Sequence, residues 1–214
     1  MKNELQSGTQ KVADGAQIVA RGGKEGALVT QHLHGKYYET AARGNVFVAS
    51  TLAAGIVVPF IAATVTSKFT LVNPAGSGVN VELIDINVLQ VPGSALITGL
   101  GVAFQGPLAT TGGYPGTLTT STGAHSSTLI GSGVATPVVH YSSAVHTNVA
   151  IANLTPVIWL YNNVATTIIT QQYVNYQFDG KFVMPPDTAM LLVNSITSTQ
   201  SAAAISVSYA IYPQ

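Results

Sequence analysis

The stretch Val79–Val88 reads Val-Asn-Val-Glu-Leu-Ile-Asp-Ile-Asn-Val and indicates the fold class. Apolar and polar side chains alternate along much of it, as they do again in Ile205–Ile211. This period of two is typical of a strand with one apolar and one polar face. From Lys36 onward, β-branched and aromatic runs are interrupted by Gly, Pro, Asn and Ser clusters of the kind that form turns. The sequence therefore predicts an all-β domain.

Twelve runs of this kind are predicted as strands. They are residues 36–40, 46–50, 57–62, 67–72, 79–91, 95–105, 136–142, 157–161, 166–178, 181–184, 189–196 and 203–212. No segment shows a helical period over a length that would predict a helix. We expect an antiparallel two-sheet sandwich, with a jelly roll favoured among sandwiches. The Gly-, Ser- and Thr-rich segment 106–136 is expected to be a long surface loop.

Charged residues are scarce and unevenly placed. They make up 7% of the 214 residues, against about 25% in a typical soluble domain. Ten of them lie within the first 43 residues, and none lies between Asp85 and Asp179. The first part is also punctuated by glycines, which weaken a continuous helix. We therefore predict an extended N-terminal arm over residues 1–44 and a β-sandwich domain over residues 45–214.

The composition also bears on partners and location. A net charge of zero provides no basic field to attract nucleic acid. The sequence has no cysteine for disulfides or zinc, and its start lacks the apolar core of a secretory signal, which favours synthesis in the cytoplasm. The apolar run Val46–Val65 is long enough for a membrane span, but Gly55 and Pro59 lie in the middle of it, and β-branched pairs such as Val57-Val58 favour buried strands. Neither nucleic acid nor a membrane is expected as a partner.

The shortage of charge predicts association with other chains. Hydrophobic residues make up 47% of the sequence, and the net charge that usually keeps such proteins apart is missing. We expect much of the surface to be covered by copies of this chain or by partner chains.

We assign no catalytic, cofactor-binding or metal-binding residue and predict that the protein is not an enzyme. The acids of the β part are Glu82, Asp85, Asp179 and Asp187, and no nucleophile-elbow pattern accompanies them. Glu82 and Asp85 are three residues apart on a predicted strand, so we expect their side chains on opposite faces of the sheet, which excludes a glycosidase pair.

The histidines are expected to be ordinary polar side chains. His32 and His34 would share one face of an extended segment and could share a metal, but a third and a fourth ligand are not evident nearby, and Glu39 is the only plausible carboxylate. The same interpretation applies to His140 and His146.

Several aromatic residues could form a platform for a sugar. Trp159 and Tyr161 would lie on one face of a strand, and the other members of the set are Tyr173, Tyr176 and Phe178. Packing in the core or between subunits is favoured, because aromatic side chains on strands are usually buried there.

Two segments resemble structural proteins of tailed bacteriophages. His34–Ala49 (His-Gly-Lys-Tyr-Tyr-Glu-Thr-Ala-Ala-Arg-Gly-Asn-Val-Phe-Val-Ala) resembles the N-terminal part of proteins encoded among the head genes. Val183–Leu192 (Val-Met-Pro-Pro-Asp-Thr-Ala-Met-Leu-Leu), before a Thr-, Ser- and Ala-rich final strand, is similar to the ending of jelly-roll decoration and minor capsid proteins.

The resemblance implies a non-enzymatic virion protein, made in the host cytoplasm, that decorates or cements a tailed-phage capsid. It implies a homo-oligomer, with a trimer favoured, whose partners are the capsid protein or other virion proteins, and it brings no cofactor and no catalytic residue. We expect the sandwich to form the oligomer and the arm to hold the lattice or a neighbouring copy. The first alternative is a carbohydrate-binding, host-recognition module, and the second is the major shell protein itself.

Overall fold

The computed structural model describes residues 35–52, 55–58, 65–91, 99–107, 124–131, 136–147, 154–161, 173–194 and 202–214. Within them the chain forms one short helix, α1 (Tyr38–Ala42), and twelve strands. The strands are β1 (Val46–Ser50), β2 (Ile56–Val57), β3 (Val65–Asn73), β4 (Val79–Gln90), β5 (Leu100–Gln105), β6 (Ala124–Ser127), β7 (Val139–Thr147), β8 (Leu154–Tyr161), β9 (Tyr173–Gln177), β10 (Val183–Met184), β11 (Thr188–Asn194) and β12 (Ala202–Pro213).

The strands form two antiparallel sheets, which confirms the predicted sandwich. The first sheet has the order β10-β4-β12-β1-β6, with β9 also paired to β4 and β2 to β12. The second sheet has the order β7-β3-β11-β5-β8. β12 lies at the centre of the first sheet, because it pairs along its length with β4 on one side and with β1 and β2 on the other.

The strand order is that of a jelly roll. β9 and β10 lie end to end along β4 and count as one strand, and β2, β6 and β7 are additions. The remaining eight strands, numbered along the chain, have the orders 1-8-3-6 in the first sheet and 2-7-4-5 in the second. Successive strands therefore cross between the sheets except at the pair β5 and β8. The jelly roll favoured from the sequence is the connectivity observed.

The core lies between the sheets. The first sheet contributes Phe47, Ile86 and Tyr209, and the second contributes Phe69 and Leu192 among other fully buried residues. The second sheet is also buried on its outer side, since Ala103, Leu191 and Val193 alternate with core residues and are inaccessible to solvent. This two-sided burial explains why β11 is an almost continuous apolar run instead of an alternating one.

Residues 36–40, predicted as a strand, instead form a turn and the first residues of α1, which begins at Tyr38. The Gly35 carbonyl accepts a hydrogen bond from the Tyr38 amide at the start of the helix, and the C-cap Arg43 is followed by Gly44, where φ is +75°. Such a left-handed residue after a helix is usually glycine. The strand prediction was wrong because Tyr37 and Ala41 are four residues apart and face the same apolar surface in the helical conformation.

The predicted surface loop 106–136 contains a strand that the sequence did not reveal. β6 pairs with β1, aligning His125 with Ala49. Its sequence, Ala-His-Ser-Ser, shows no apolar alternation, so its conformation follows from pairing with the edge of β1. Residues 108–123 and 132–135 of the predicted loop lie outside the described residues.

A bulge in β4 reverses one sequence expectation. Asp85 pairs with Ser208 but Leu83 pairs with Tyr209, so Ile84 is an extra residue on β4. Because one residue is inserted between them, Glu82 and Asp85 point to the same side of the sheet, and the prediction of opposite faces was wrong. The bulge also turns Ile84 away from the main core.

The apolar run Val46–Val65 contains β1, β2 and the first residue of β3, and residues 53–54 and 59–64 of it lie outside the described residues. In the part of the chain that the structure describes, no helix is long and apolar enough to cross a membrane.

Candidate functional site

The helix α1 packs on the outer face of the first sheet. The bulge residue Ile84 joins Val46 and Ala210 in a small buried cluster on that face, and Tyr37 and Ala41 pack against it. Strand β1 provides Val46, and β12 provides its register partner Ala210. These contacts make the last residues of the predicted arm part of the sandwich surface.

Polar contacts hold the start of this segment in place. The Lys36 ammonium donates to the Asp179 carboxylate at 2.6 Å and to the Asp179 carbonyl oxygen at 3.0 Å. The Tyr37 hydroxyl donates to Glu82 Oε1 at 3.2 Å. Asp179 and Gly180 have φ of 56° and 77°, the left-handed conformations of a tight turn. Gly180 lies directly against the Glu82 carboxylate, where a larger residue would displace it.

The ion pair shifts the pKa of each of its two partners in the direction that favours the charged form. The hydrogen bond with Asp179 raises the pKa of Lys36, and the same bond lowers the pKa of Asp179. The contribution of the Asp179 carboxylate to folding stability is present at neutral pH and is lost as the pH falls through its lowered folded-state pKa. Both side chains are more than half exposed, so the pair positions the segment but contributes little stability.

A hydrogen-bonded row of polar side chains occupies the next part of this outer face. Asn87 Oδ1 accepts bonds from the Tyr173 hydroxyl at 2.6 Å and from Asn175 Nδ2 at 2.7 Å. Asn87 Nδ2 donates to Asp85 Oδ1 at 3.2 Å, and Gln177 Nε2 donates to Asn175 Oδ1 at 3.2 Å. We call these five residues the polar row. Its members are held by one another and present amide groups and one carboxylate to solvent.

The polar row was missed in the sequence, although a signal for it exists. Tyr173, Asn175 and Gln177 alternate with the half-buried Val174 and Tyr176, which is the period of a strand with one wet face. Their partner Asn87 is 86 residues away from Tyr173, so the contact itself follows only from the pairing of β4 with β9.

The aromatic platform, the less favoured sequence alternative, is not formed as a unit, because Trp159 and Tyr173 lie in different sheets. Trp159 is half exposed on β8 in the second sheet, where its ring lies across Gly101. Tyr173 is 61% exposed on β9 in the first sheet. Phe178 is fully buried and packs against Tyr176 with ring centroids 5.1 Å apart. The side chain of Tyr161 lies outside the described part of the chain.

The histidines are arranged differently from the sequence expectation. His32 and His34 lie outside the described residues, as does the side chain of His146. His125 of β6 and His140 of β7 instead meet inside the sandwich, with ring centroids 5.6 Å apart. Within the described ranges, no group of three or more His, Asp or Glu residues is placed to hold a metal ion.

No protein-family model, no curated protein and no solved structure matches this chain. The sequence pattern, the strand order and the outer face of the first sheet are therefore the basis for proposing a function.

Proposed function

We propose that this protein is a non-enzymatic structural component of a virus particle, which decorates or cements the capsid of a tailed bacteriophage. It acts as a homo-oligomer, with a trimer as the favoured form, and contacts the capsid protein or other virion proteins. The sandwich forms the contacts between copies, and the N-terminal arm reaches the lattice or a neighbouring copy. The chain is made in the host cytoplasm and works in the virion.

The observation that carries the proposal is the jelly-roll strand order in a chain with so little charge. Jelly rolls are common among viral capsid domains, although the fold by itself does not define a function. The sixteen charged residues of the chain are concentrated toward its start, and the sandwich offers few ionised groups for solubility. Surfaces of this kind are suited to burial against other subunits.

The docking of α1 supports a role for the arm. The contacts of Lys36, Tyr37 and Ala41 fix the point from which residues 1–34 continue, at the outer face of the first sheet. A segment whose attachment point is held in place loses less conformational entropy when it binds than a segment attached through a flexible linker.

The proposal is tested on native particles and on the isolated chain. Mass spectrometry of purified particles from the culture that produces the chain is expected to find it in a fixed copy number. A number below that of the main shell protein supports decoration, and an equal or sole abundance would instead identify the major shell protein. Sedimentation of the isolated full chain is expected to give a discrete oligomer. A monomer at high concentration, together with absence from particles, would overturn the proposal.

The polar row favours one second candidate, the binding of a neutral glycan. Amide and carboxylate groups beside an exposed aromatic ring suit sugar hydroxyls and the apolar face of a sugar ring. On a glycan array, Tyr173→Ala is expected to abolish binding, because it removes both the ring and the donor to Asn87. Trp159→Ala is the matched control and is expected to bind like the wild type. No glycan bound by the wild-type chain would remove this candidate.

A further inference from the structure

Two added strands meet across the open side of the sandwich. β6 extends the first sheet beyond β1, and β7 extends the second sheet beyond β3. From these strands, His125 and His140 face each other edge to face, with an interplanar angle of 85°. His140 is fully buried, and His125 is half-buried.

The two imidazoles belong to a continuous row of rings. Tyr209 of β12 stacks on Phe47 at 5.7 Å and contacts His125 at 6.2 Å, measured between ring centroids. At the other end, His140 packs on Phe69 of β3 at 4.5 Å. The row thus connects the first sheet to the second through the histidine pair.

A protonated His125 would be poorly accommodated in this row. Its Nδ1 lies 3.0 Å from the Tyr209 hydroxyl, which also lies 3.4 Å from Thr136 Oγ1. Its Nε2 is buried and has no hydrogen-bond partner among the described residues. Neutral imidazole can satisfy one nitrogen with Tyr209, but the imidazolium carries a second N–H and a charge that must also be solvated.

Among the residues that the structure describes, the groups that contact His125 supply no compensating negative charge. His140 faces it from β7, Tyr209 faces it from β12, and Ala49 is its register partner on β1. Burial raises the pKa of Tyr209, so its phenol stays neutral. Burial lowers the pKa of His125 below its ordinary value of 6.5. States in which His125 is exposed to solvent therefore bind the proton more readily than the structure in which it is buried. The stability of the buried arrangement is present above pH 6.5 and declines as the pH falls below that value.

We propose that His125 and His140 form an acid-sensitive latch, in which the neutral rings hold β6 against β7 and protonation of His125 separates these two strands. The eight jelly-roll strands do not include β6 or β7, so the latch opens without unfolding the sandwich. Acid thereby loosens one side of the molecule selectively, which gives an assembly of such subunits a local response to its surroundings.

Hydrogen exchange of the full-length protein between pH 8 and pH 5 tests the latch. After correction for intrinsic exchange, protection of residues 124–127 and 139–147 is expected to fall by up to about tenfold per pH unit below 6.5, the limit for one titrating group. Protection of β11 is expected to stay constant. His125→Asn keeps a hydrogen-bonding group near Tyr209 but does not titrate. In this variant the protection of β6 and β7 should therefore show no such pH dependence.

Two further variants separate the latch from simple destabilisation. Tyr209→Phe removes the hydroxyl beside His125 and is expected to lower protection at every pH while keeping the pH response. His125→Phe replaces His125→Asn if the asparagine variant does not fold, with the same expected loss of pH response. Equal wild-type protection at pH 8 and pH 5, an unchanged response in the non-titrating variant, or equal loss in β11 would each overturn the proposal.

Discussion

A chain that begins at Gly35 is expected to fold as the full-length protein does but to be lost from particles. Residues 1–34 contain seven of the sixteen charged residues, and in our proposal they make the contact with the lattice or a neighbouring copy. The retained segment keeps the contacts of Lys36, Tyr37 and Ala41 with the sheet. Incorporation is expected to disappear, while the free energy of unfolding changes by less than about 0.5 kcal/mol.

A chain that begins at Asn45 provides the matched comparison. Removing residues 35–44 exposes Val46, Ile84 and Ala210, which α1 covers in the full-length protein. Burial of an apolar side chain is worth about 1.5–3 kcal/mol when complete, and here the cover is shared with neighbouring strands. We therefore expect this shorter chain to lose about 2 kcal/mol of unfolding free energy.

Urea unfolding of the purified chains and particle incorporation in a complementation assay measure these two effects separately. Normal incorporation of the chain that begins at Gly35 would contradict the function assigned to the arm. Equal stability of the two shortened chains would contradict the structural role of α1. The two results are independent, so either inference can fail without the other.

The second large effect is a loss of folding stability, which we expect for the substitution Gly55→Ala. Gly55 has a φ of +69°, and a Cβ there would lie 2.6 Å from the Ala203 carbonyl oxygen and 2.7 Å from Val91 Cγ2. The Ala203 backbone cannot move away easily, because it pairs with both β2 and β4. Strain at such a position costs about 1–3 kcal/mol before the steric clash is added. We expect Gly55→Ala to lower the free energy of unfolding by about 3 kcal/mol or more.

Gly76→Ala is the control for this substitution. Gly76 has a similar φ of +78°, but a Cβ there would meet nothing within 4 Å. Only the conformational cost of about 1–2 kcal/mol should remain. Denaturant unfolding of both variants compares the two sites, and equal losses would show that the contact of Gly55 with β12 is not tight.

The agreement between sequence and structure is close for two strands of the first sheet, β1 and β4. The predicted strand 46–50 has the bounds of β1, and the predicted strand 79–91 differs from β4 by one residue. The adjacent apolar pair Leu83-Ile84 breaks the alternation of β4, and it marks the bulge that was not anticipated. A change in the phase of an alternating pattern is therefore a usable signal for a bulge.

The candidate surfaces were less accessible from the sequence. Residues 36–40 could be a strand or a helix by local preference, and the cluster around Ile84 decides for the helix. His125 lies in a Ser-rich segment that is typical of a loop, and its strand conformation depends on pairing with β1. Trp159 and Tyr173 are both strand aromatics, but the strand order places them in different sheets.

By itself, the sequence determined that the protein is a charge-poor β-sandwich with a glycine-rich start, because hydrophobic period and turn chemistry act over a few neighbouring residues. The tertiary structure decided where α1 docks, which polar side chains form the polar row, and that His125 meets His140. Those contacts join residues far apart in the chain. They depend on which strands become neighbours, and no local pattern of apolar and polar residues specifies that.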